Sequence, residues 1–234
     1  MRNIFLAAII LTIFLSGCNQ GLTEDIKINN PPPGLPKVKY LALGDSYTIG
    51  ESVALENFPS QLTDSLNTNG FDLAFPVIRA RTGWTTTDLL TSLNDNPLNV
   101  ETFDFVTLLI GVNNQYRGLD TSLYVREFEE LLLKSIEYAD NISNRVWVLS
   151  IPDYAFTPFG MGNPDISKEI DLYNDINKRI SITYNVNYVN ITDISRNGLD
   201  QPELVASDGL HPSALQYTRW IERFVGEVER GLLR

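Results

Sequence analysis

The chain has 234 residues, enough for one sizeable domain, and its 18 Lys and Arg against 29 Asp and Glu side chains give a formal net charge of −11. Such an acidic protein is poorly suited to binding DNA, RNA or an anionic lipid surface through its charge. Because there is a single His and a single Cys, a His/Cys metal site and an intramolecular disulfide are excluded, and we expect no metal and no other cofactor.

The first residues have the pattern of a targeting segment. Arg2 precedes an apolar stretch over residues 4–15 that only Thr12 interrupts. A helix of this stretch would be about 18 Å long at about 1.5 Å per residue, too short for a bilayer core of roughly 30 Å. A positive start, a short apolar stretch and small residues at its end are typical of a secretory signal peptide. We therefore predict a signal peptide over residues 1–17.

The residues that follow predict a lipid anchor and a spacer. The string Leu-Ser-Gly-Cys at residues 15–18 resembles the bacterial lipobox, in which the Cys is lipidated and becomes the new N-terminus. The alternative is an ordinary signal peptide that happens to contain a Cys. Residues 18–36 become rich in proline, which favours an extended tether, although their last residues could pack on the domain. The resemblance implies lipidation at Cys18 and a membrane-anchored lipoprotein of the cell envelope, on its periplasmic or extracellular face.

From residue 37 onward, short apolar runs alternate with segments whose apolar residues recur every three or four positions. The runs predict strands, and the recurring spacing predicts helices. Pro212 suits the first turn of the last helix. In chain order, the sequence predicts a strand over residues 38–43, a helix over 58–66, a strand over 75–78, a helix over 86–93, a strand over 103–110, a helix over 122–139, a strand over 145–151, a helix over 166–184, a strand over 186–191 and a helix over 212–232.

This alternation predicts one α/β domain over residues 37–234, a three-layer α/β/α sandwich around a mostly parallel sheet of about five strands. In such sheets, ligands bind beyond the carboxyl ends of the strands. Four polar clusters fall at those positions in the sequence. Residues 44–46 end the first strand, residues 82–84 follow the second, residues 111–114 end the third, and residues 208–212 precede the last helix. We therefore expect all four clusters at one edge of the sheet.

In this order the clusters resemble the sequence blocks of the SGNH hydrolases, also called GDSL lipases and esterases. The resemblance covers most of residues 40–221. The Gly-Asp-Ser block is matched by residues 44–46, the Gly of the second block by Gly83, the Gly-x-Asn-Asp block by residues 111–114, and the Asp-x-x-His-Pro block by residues 208–212. Each string is weak by itself, and their order makes the signal specific. The resemblance implies a flavodoxin-like SGNH hydrolase fold.

The resemblance also implies roles for individual residues. Ser46 is the expected nucleophile, with His211 as its general base and Asp208 as the orienting carboxylate. The expected oxyanion donors are the Ser46 N–H, the Gly83 N–H and the Asn113 side-chain amide. The chemistry of the residues agrees: a Ser hydroxyl needs an adjacent base, His211 is the only His in the chain, and a carboxylate three residues upstream can hold the imidazole tautomer.

One position departs from the family pattern. Asn114 stands where the Gly-x-Asn-Asp block has its Asp. The substitution removes no direct participant in the reaction. It brings into question the local hydrogen bonds that the Asp would have made around Asn113.

Simpler interpretations exist for each residue taken singly. Ser46 fits the N-cap of the helix that follows the first strand. Asp208 fits a favourable charge at the start of the last helix. His211 fits a structural hydrogen-bonded residue, and Gly83 and Gly111 fit ordinary turn glycines. The coincidence of four such features in family order favours the hydrolase.

The sequence therefore predicts an exported, lipid-anchored serine esterase that cleaves carboxylic esters through an acyl-Ser46 intermediate. The expected partners are the membrane, through the anchor, and a small ester or an acylated glycan or lipid as substrate. Short-chain acyl or O-acetyl groups, including those on carbohydrate, are the leading substrates. The alternatives are a lipase or thioesterase for longer chains, and a non-catalytic surface lipoprotein that binds acylated ligands. The aromatic residues in the 152–164 loop can line an acyl pocket or simply pack on the domain.

Overall fold

The computed structural model describes residues 37–98 and 102–233. The predicted signal peptide over residues 1–17, the tether over 18–36 and the lipidation site Cys18 lie outside the described residues. The described residues include five strands: β1 (Tyr40–Gly44), β2 (Val77–Ala80), β3 (Phe105–Leu109), β4 (Val146–Leu149) and β5 (Asn187–Val189). They form a parallel sheet in the order β2-β1-β3-β4-β5, one of the two common doubly wound orders.

Helices cover the two faces of the sheet, as predicted. The helices are α1 (Ser46–Ile49), α2 (Phe58–Thr68), α3 (Thr86–Asp95), α4 (Val112–Tyr116), α5 (Thr121–Tyr138), α6 (Pro164–Thr183), α7 (Thr192–Ser195) and α8 (Ala214–Leu232). On one face α2 packs against α8, and on the other α3 packs against α5, which also contacts α6 and β3. The predicted three-layer α/β/α fold is therefore confirmed.

The burial of the central strands explains why their sequences are almost continuously apolar. Every residue of β1, β3 and β4 is buried, because helices cover both sides of these strands. At the sheet edge, β2 is only partly buried. It begins two residues later than predicted, after Pro76, which has no backbone N–H to join a ladder. The apolar stripe of α8 faces the core through Tyr217, Trp220, Phe224 and Val228.

The start of the last helix differs from the prediction. Pro212 is not in the first turn of α8: it forms an isolated antiparallel bridge with Val205, and α8 begins two residues later at Ala214. The Ser213 hydroxyl accepts a hydrogen bond from the Gln216 N–H at 3.2 Å, so Ser213 is the N-cap. This cap lets the chain from Asp208 to Pro212 stay a loop.

Three short helices, α1, α4 and α7, were not predicted. They contain only four or five residues each, too few for a recurring apolar spacing. The first two begin directly beyond the carboxyl ends of β1 and β3, so they carry the predicted motif residues. In the part of the chain described here, no helix is both long and apolar enough to cross a membrane.

Candidate active site

Ser46 is the first residue of α1, and Asp45 sets the turn that places it there. The Asp45 side chain is fully buried, and its Oδ1 accepts a hydrogen bond from the Tyr47 N–H at 3.0 Å. Asp45 is therefore the N-cap, and the simpler interpretation of Ser46 as the capping residue is wrong. Burial raises the pKa of Asp45 to about 7, although the N–H groups of Tyr47 and Gly111 oppose that rise.

Tyr47, the second residue of α1, contacts two residues near the C-terminal end of the chain. The Tyr217 hydroxyl of α8 donates to the Tyr47 carbonyl oxygen at 2.9 Å. The Tyr47 ring meets the His211 ring edge-on, with centroids 5.8 Å apart and planes at 67°. These contacts bring the segment that carries Ser46 next to the loop that carries His211.

Asp208 and His211 form a hydrogen-bonded pair within their loop. His211 Nδ1 lies 2.6 Å from Asp208 Oδ2, while Asp208 Oδ1 accepts the backbone N–H groups of Leu210 at 2.9 Å and His211 at 3.0 Å. Asp208 therefore orders the backbone of its own loop, and Ser213 is the residue that caps α8. The interpretation of Asp208 as a charge at the start of the last helix is wrong.

The surroundings of Asp208 favour its charged form. Partial burial would raise its pKa, but donation from Ser52, from the backbone of His211 and Leu210 and from the His211 side chain outweighs this. The pKa of Asp208 is therefore well below its usual range. A carboxylate that stays charged beside an imidazole Nδ1 can stabilise the imidazolium form.

Ser46 and His211 both border a cavity of about 240 Å³. Ser46 is 5% exposed. In the described part of the chain, no hydrogen bond joins the Ser46 hydroxyl to His211, and such bonds often form only when a substrate is bound. A larger groove of about 710 Å³ lies between α5 and α6, but neither residue borders it. The 240 Å³ cavity, which we call the Ser46 cavity, is lined by Ser46, Tyr47, Thr82, Val112, Asn113, Tyr116, Tyr154, Phe159, Leu210 and His211.

Two of the three predicted oxyanion donors belong to residues that border the Ser46 cavity. Asn113 lies in the first turn of α4, and its Nδ2 donates one hydrogen to the Trp84 carbonyl oxygen at 3.0 Å. A primary amide has two such hydrogens, so the second can serve a ligand. The other predicted donor of this pair, the Ser46 N–H, lies at the start of α1.

The third predicted donor, Gly83, stands slightly apart: Thr82 borders the cavity, and Gly83 follows it in the turn. Gly83 has a φ of +80°, which favours glycine, so the turn interpretation also holds for it. Its carbonyl oxygen accepts a hydrogen bond from Arg117 Nη2 at 2.5 Å. Arg117 directly follows α4, so the segment that carries Asn113 also holds this turn.

Asn114, which stands where the family pattern has its Asp, binds the start of α3. Its side chain is fully buried and faces Thr86 at the start of α3. Its Oδ1 accepts the Thr86 N–H at 3.0 Å, and its Nδ2 donates to Thr86 Oγ1 at 2.7 Å. The Thr86 hydroxyl then donates to Glu127 Oε2 at 2.5 Å. Asn114 thus anchors α3, and the Asn113 amide finds its own partner in Trp84.

Sequence reasoning missed Ser52 and Glu51, which follow α1. Ser52 Oγ donates to Asp208 Oδ2 at 2.6 Å, and the Thr82 hydroxyl donates to Glu51. Nothing in the sequence signals these contacts, because they join segments far apart along the chain. Among the described residues, no group of three or more His, Cys, Asp or Glu side chains is arranged to hold a metal ion.

Three aromatic rings form one wall of the Ser46 cavity. Tyr116 lies 6.3 Å from Tyr154 and 6.1 Å from Phe159, and the last two rings are also 6.1 Å apart, measured between centroids. Tyr154 and Phe159 belong to the 152–164 loop, so part of this loop lines the cavity. Met161, in the same loop, is instead 83% exposed.

A family profile matches most of the chain, and several solved structures share its fold. The GDSL-like Lipase/Acylhydrolase family profile matches residues 42–219. No sequence among curated proteins matches the chain. Similar solved structures include TesA, with 16% identity and a TM-score of 0.66 over 82% of this chain and 99% of that one. A lipase/acylhydrolase from Enterococcus faecalis has 20% identity and a TM-score of 0.62 over 82% and 96%.

A third similar structure is Axe2, an acetylxylan esterase from Geobacillus stearothermophilus, with 20% identity and a TM-score of 0.60 over 82% of this chain and 94% of that one. At identities of 16–20%, the structural similarity shows a shared fold and does not by itself show a shared activity. The family match covers more than half of the chain and includes all four motif blocks. The chain therefore belongs to the GDSL-like lipase/acylhydrolase family and is a carboxylic ester hydrolase.

Proposed function

We propose that this hydrolase is an exported, lipid-anchored serine esterase that removes short-chain acyl or O-acetyl groups, including those on carbohydrate, through an acyl-Ser46 intermediate. The observation that carries the catalytic part is the 2.6 Å contact between His211 Nδ1 and Asp208 Oδ2 beside a cavity that Ser46 also borders. With Nδ1 paired to Asp208, the other ring nitrogen of His211, Nε2, is available to take a proton from Ser46.

Acylation begins when Ser46 Oγ attacks the ester carbonyl carbon and His211 Nε2 takes the hydroxyl proton. Negative charge develops on the carbonyl oxygen. The Ser46 N–H, the Gly83 N–H and the Asn113 amide are the proposed donors to it, and the loss of one such donor typically costs about 3–4 kcal/mol of barrier. Collapse of this intermediate breaks the bond to the leaving alcohol, which receives the proton from His211.

Deacylation repeats these steps with water as the nucleophile. His211 takes a proton from the water, whose oxygen attacks the acyl carbon. The second tetrahedral intermediate then releases the carboxylic acid, and the proton returns to Ser46 Oγ. Asp208 holds the Nδ1–H and stabilises the imidazolium in both halves, which is why a carboxylate that stays charged suits this position.

Two observations support a compact acyl group. The Ser46 cavity has a volume of about 240 Å³, below the roughly 300–1,000 Å³ typical of sites for drug-sized ligands. The aromatic wall of Tyr116, Tyr154 and Phe159 closes one side of it. The acetylxylan esterase among the similar structures supports O-acetyl groups on carbohydrate as one form of the substrate.

A lipase or thioesterase for longer chains is the second candidate. Phe159 is 48% exposed and Met161 is 83% exposed, so apolar surface continues outward from the cavity in the 152–164 loop. A long acyl chain could follow that surface. Rates on p-nitrophenyl esters of increasing chain length separate the candidates: a steep fall beyond acetyl supports the first, and a rise toward long chains supports the second.

The catalytic proposal is tested by replacing the reacting groups. We expect Ser46→Ala and His211→Ala each to lower p-nitrophenyl acetate turnover by roughly 10⁴-fold or more, with circular dichroism unchanged. Ser122→Ala is a matched control, because Ser122 is exposed on α5 away from the cavity. A fluorophosphonate probe should label the wild type at Ser46. Unchanged turnover of Ser46→Ala contradicts the proposal, and absence of labelling favours a non-catalytic ligand-binding lipoprotein.

The anchor is tested separately, since it rests on the sequence pattern at residues 15–18. In a bacterial host grown with a labelled fatty acid, we expect label on the wild type and none on Cys18→Ser. Wild-type protein should sediment with membranes, with the variant released. An unlabelled wild type cut at another position contradicts the anchor and leaves the esterase proposal intact.

A further inference from the structure

The turn over residues 50–54, which follows α1, has an unusual backbone. Gly50, Ser52 and Ala54 have φ values of 79°, 68° and 50°. Glycine adopts this left-handed region freely, whereas residues with a Cβ rarely do. Non-glycine residues persist there only where the surrounding structure determines the conformation, and such places cluster at functional sites. This turn, called the 50–54 turn below, lies within a few residues of Ser46.

A buried side chain braces the 50–54 turn. Asn57 is 4% exposed, and its Nδ2 donates to the carbonyl oxygens of Ile49 and Ala54, each at 3.0 Å. Its Oδ1 accepts the Ser60 N–H at 2.9 Å, which fixes the same side chain to the start of α2. Both ends of the turn are therefore held, and the Ser52 side chain starts from a preset position.

From that position Ser52 contacts Asp208 in the loop over residues 208–212, which also carries His211 and which we call the acid–base loop. Its hydroxyl donates to Asp208 Oδ2 at 2.6 Å, the length of a charge-assisted O–H···O⁻ bond. The same oxygen faces His211 Nδ1, also at 2.6 Å, while Oδ1 accepts the N–H groups of Leu210 and His211. The Asp208 carboxylate thus has four donors around it, and only Ser52 belongs to a different segment of the chain.

From this geometry we propose that Ser52 is a positioning residue of the esterase site, which fixes the Asp208 carboxylate and limits its pull on the His211 Nδ1–H. The inference rests on the proposed roles of Asp208 and His211. It adds a physical link between the nucleophile segment and the acid–base loop, because Ser52 lies on the same turn-and-helix unit as Ser46. The neighbouring Glu51 accepts the Thr82 hydroxyl from the cavity rim, so the same turn also holds a third segment.

The shared oxygen has two chemical consequences. A second donor to Oδ2 withdraws charge from the hydrogen bond that stabilises the imidazolium, and it also prevents the carboxylate from rotating. Without the Ser52 hydroxyl, the charge of Asp208 acts more fully on the His211 Nδ1–H and stabilises the imidazolium form more strongly. At the same time the imidazole is held less firmly, which lowers the rate of the oriented proton transfer.

The test compares Ser52→Gly with the wild type in the full chain, using p-nitrophenyl acetate over a range of pH. Glycine removes the hydroxyl and suits the left-handed backbone, so the fold should persist. We expect kcat to fall about tenfold with KM little changed, and the acid limb of the kcat/KM profile to move to higher pH by about half a unit. In Ser52→Asn, whose amide can donate and which tolerates this backbone, both effects should be partly reversed.

Ala54→Gly is the matched control. Ala54 lies in the same turn and also has a left-handed backbone, but it is exposed and its methyl side chain has no group that can hydrogen-bond to Asp208. We expect its activity and pH profile to match those of the wild type. Equal losses in Ser52→Gly and Ala54→Gly would assign the effect to the backbone of the turn and overturn the inference.

Two further outcomes overturn it. Ser52→Gly with unchanged kcat and pH profile would mean that water replaces the hydroxyl, because Ser52 is at the surface. A lower kcat with an unmoved acid limb would mean a purely structural role. Ser46→Ala in the same assay keeps the two proposals apart: if it is inactive while Ser52→Gly behaves as the wild type, only the inference about Ser52 fails.

Discussion

Two carboxyl groups stand beside the proposed catalytic pair in opposite surroundings. Asp45, directly before Ser46, is 0% exposed and accepts a backbone N–H, and burial raises its pKa to about 7. The side chain of Asp208, three residues before His211, is 30% exposed. It is surrounded by donors from the Ser52 hydroxyl, two backbone N–H groups and the His211 ring, and these lower its pKa despite the desolvation that opposes them.

The comparison shows how one residue type serves two purposes. Burial without an opposite charge makes Asp45 a group that shapes the turn and gains nothing from ionisation. Donors around Asp208 keep it charged, which is what a partner of an imidazolium needs. The motif letters Gly-Asp-Ser and Asp-x-x-His do not distinguish these cases, and the environment of each carboxyl does.

The largest expected effect separates the two groups by activity. In Asp208→Asn, the amide oxygen can still accept the Leu210 and His211 N–H groups, which turns the NH₂ group toward His211 Nδ1. The imidazole must then accept at Nδ1 and carry its proton on Nε2, where it cannot act as a base. We expect kcat on p-nitrophenyl acetate to fall about 10³- to 10⁴-fold.

Asp45→Asn is the control for that measurement. Its amide oxygen can keep the bond to the Tyr47 N–H, so we expect its kcat to stay within about tenfold of the wild type. If Asp208→Asn keeps near-normal turnover, or if both variants lose activity equally, the division of roles between the two carboxyls is wrong.

A second prediction sharpens the comparison through the change in the free energy of unfolding between pH 5 and pH 8. Because the pKa of Asp45 is raised in the folded protein, its favourable contribution is complete below about pH 4 and is lost as pH rises toward about 7. Asp45→Asn removes this loss. Its free energy of unfolding relative to the wild type should therefore increase from pH 5 to pH 8, by on the order of 2 kcal/mol.

Urea unfolding of the wild type and Asp45→Asn at pH 5, 6, 7 and 8 measures this difference. Asn brings an NH₂ group into a buried place, which can lower stability at every pH. That cost does not change with pH, so the slope and not the offset is the test. A difference between the two proteins that is constant across the range would show that Asp45 does not titrate there.

The sequence predicted the general architecture because residues that are buried in the fold form recognisable apolar patterns along the chain. Continuous apolar runs marked β1 and β3, and the recurring spacing marked α2, α5, α6 and α8. The motif order also predicted which segments meet, since Ser46, Asn113 and His211 all border one cavity.

What the sequence could not predict depends on exact loop geometry. That Thr82, and not Gly83, borders the Ser46 cavity is a difference of one residue within a tight turn. The Ser52 contact with Asp208 joins positions separated by 156 residues and needs the left-handed backbone of the 50–54 turn. Asn114 binding to Thr86 likewise depends on how α3 and α4 meet. No local pattern encodes such contacts.

The smallest expected effect tests the opposite sign of titration at Asp208. Its pKa is lowered in the folded protein, so its contribution to stability is present above about pH 4 and is lost as pH falls through the folded pKa. Asp208→Asn should therefore be less stable than the wild type at pH 6, and the gap should close as the pH is lowered toward 2. Because the Asp208 side chain is still 30% exposed, solvent screening keeps the gap to about 1 kcal/mol or less. Urea unfolding at pH 2, 3, 4 and 6 measures it, with Asp193→Asn as a matched control: that exposed surface carboxyl also has a lowered pKa, through its pairing with Arg223, but it does not touch the Ser46 cavity. A closing gap in both variants, with activity lost only in Asp208→Asn, would show that a lowered pKa marks pairing in general. The catalytic role of Asp208 would then follow from its position beside His211.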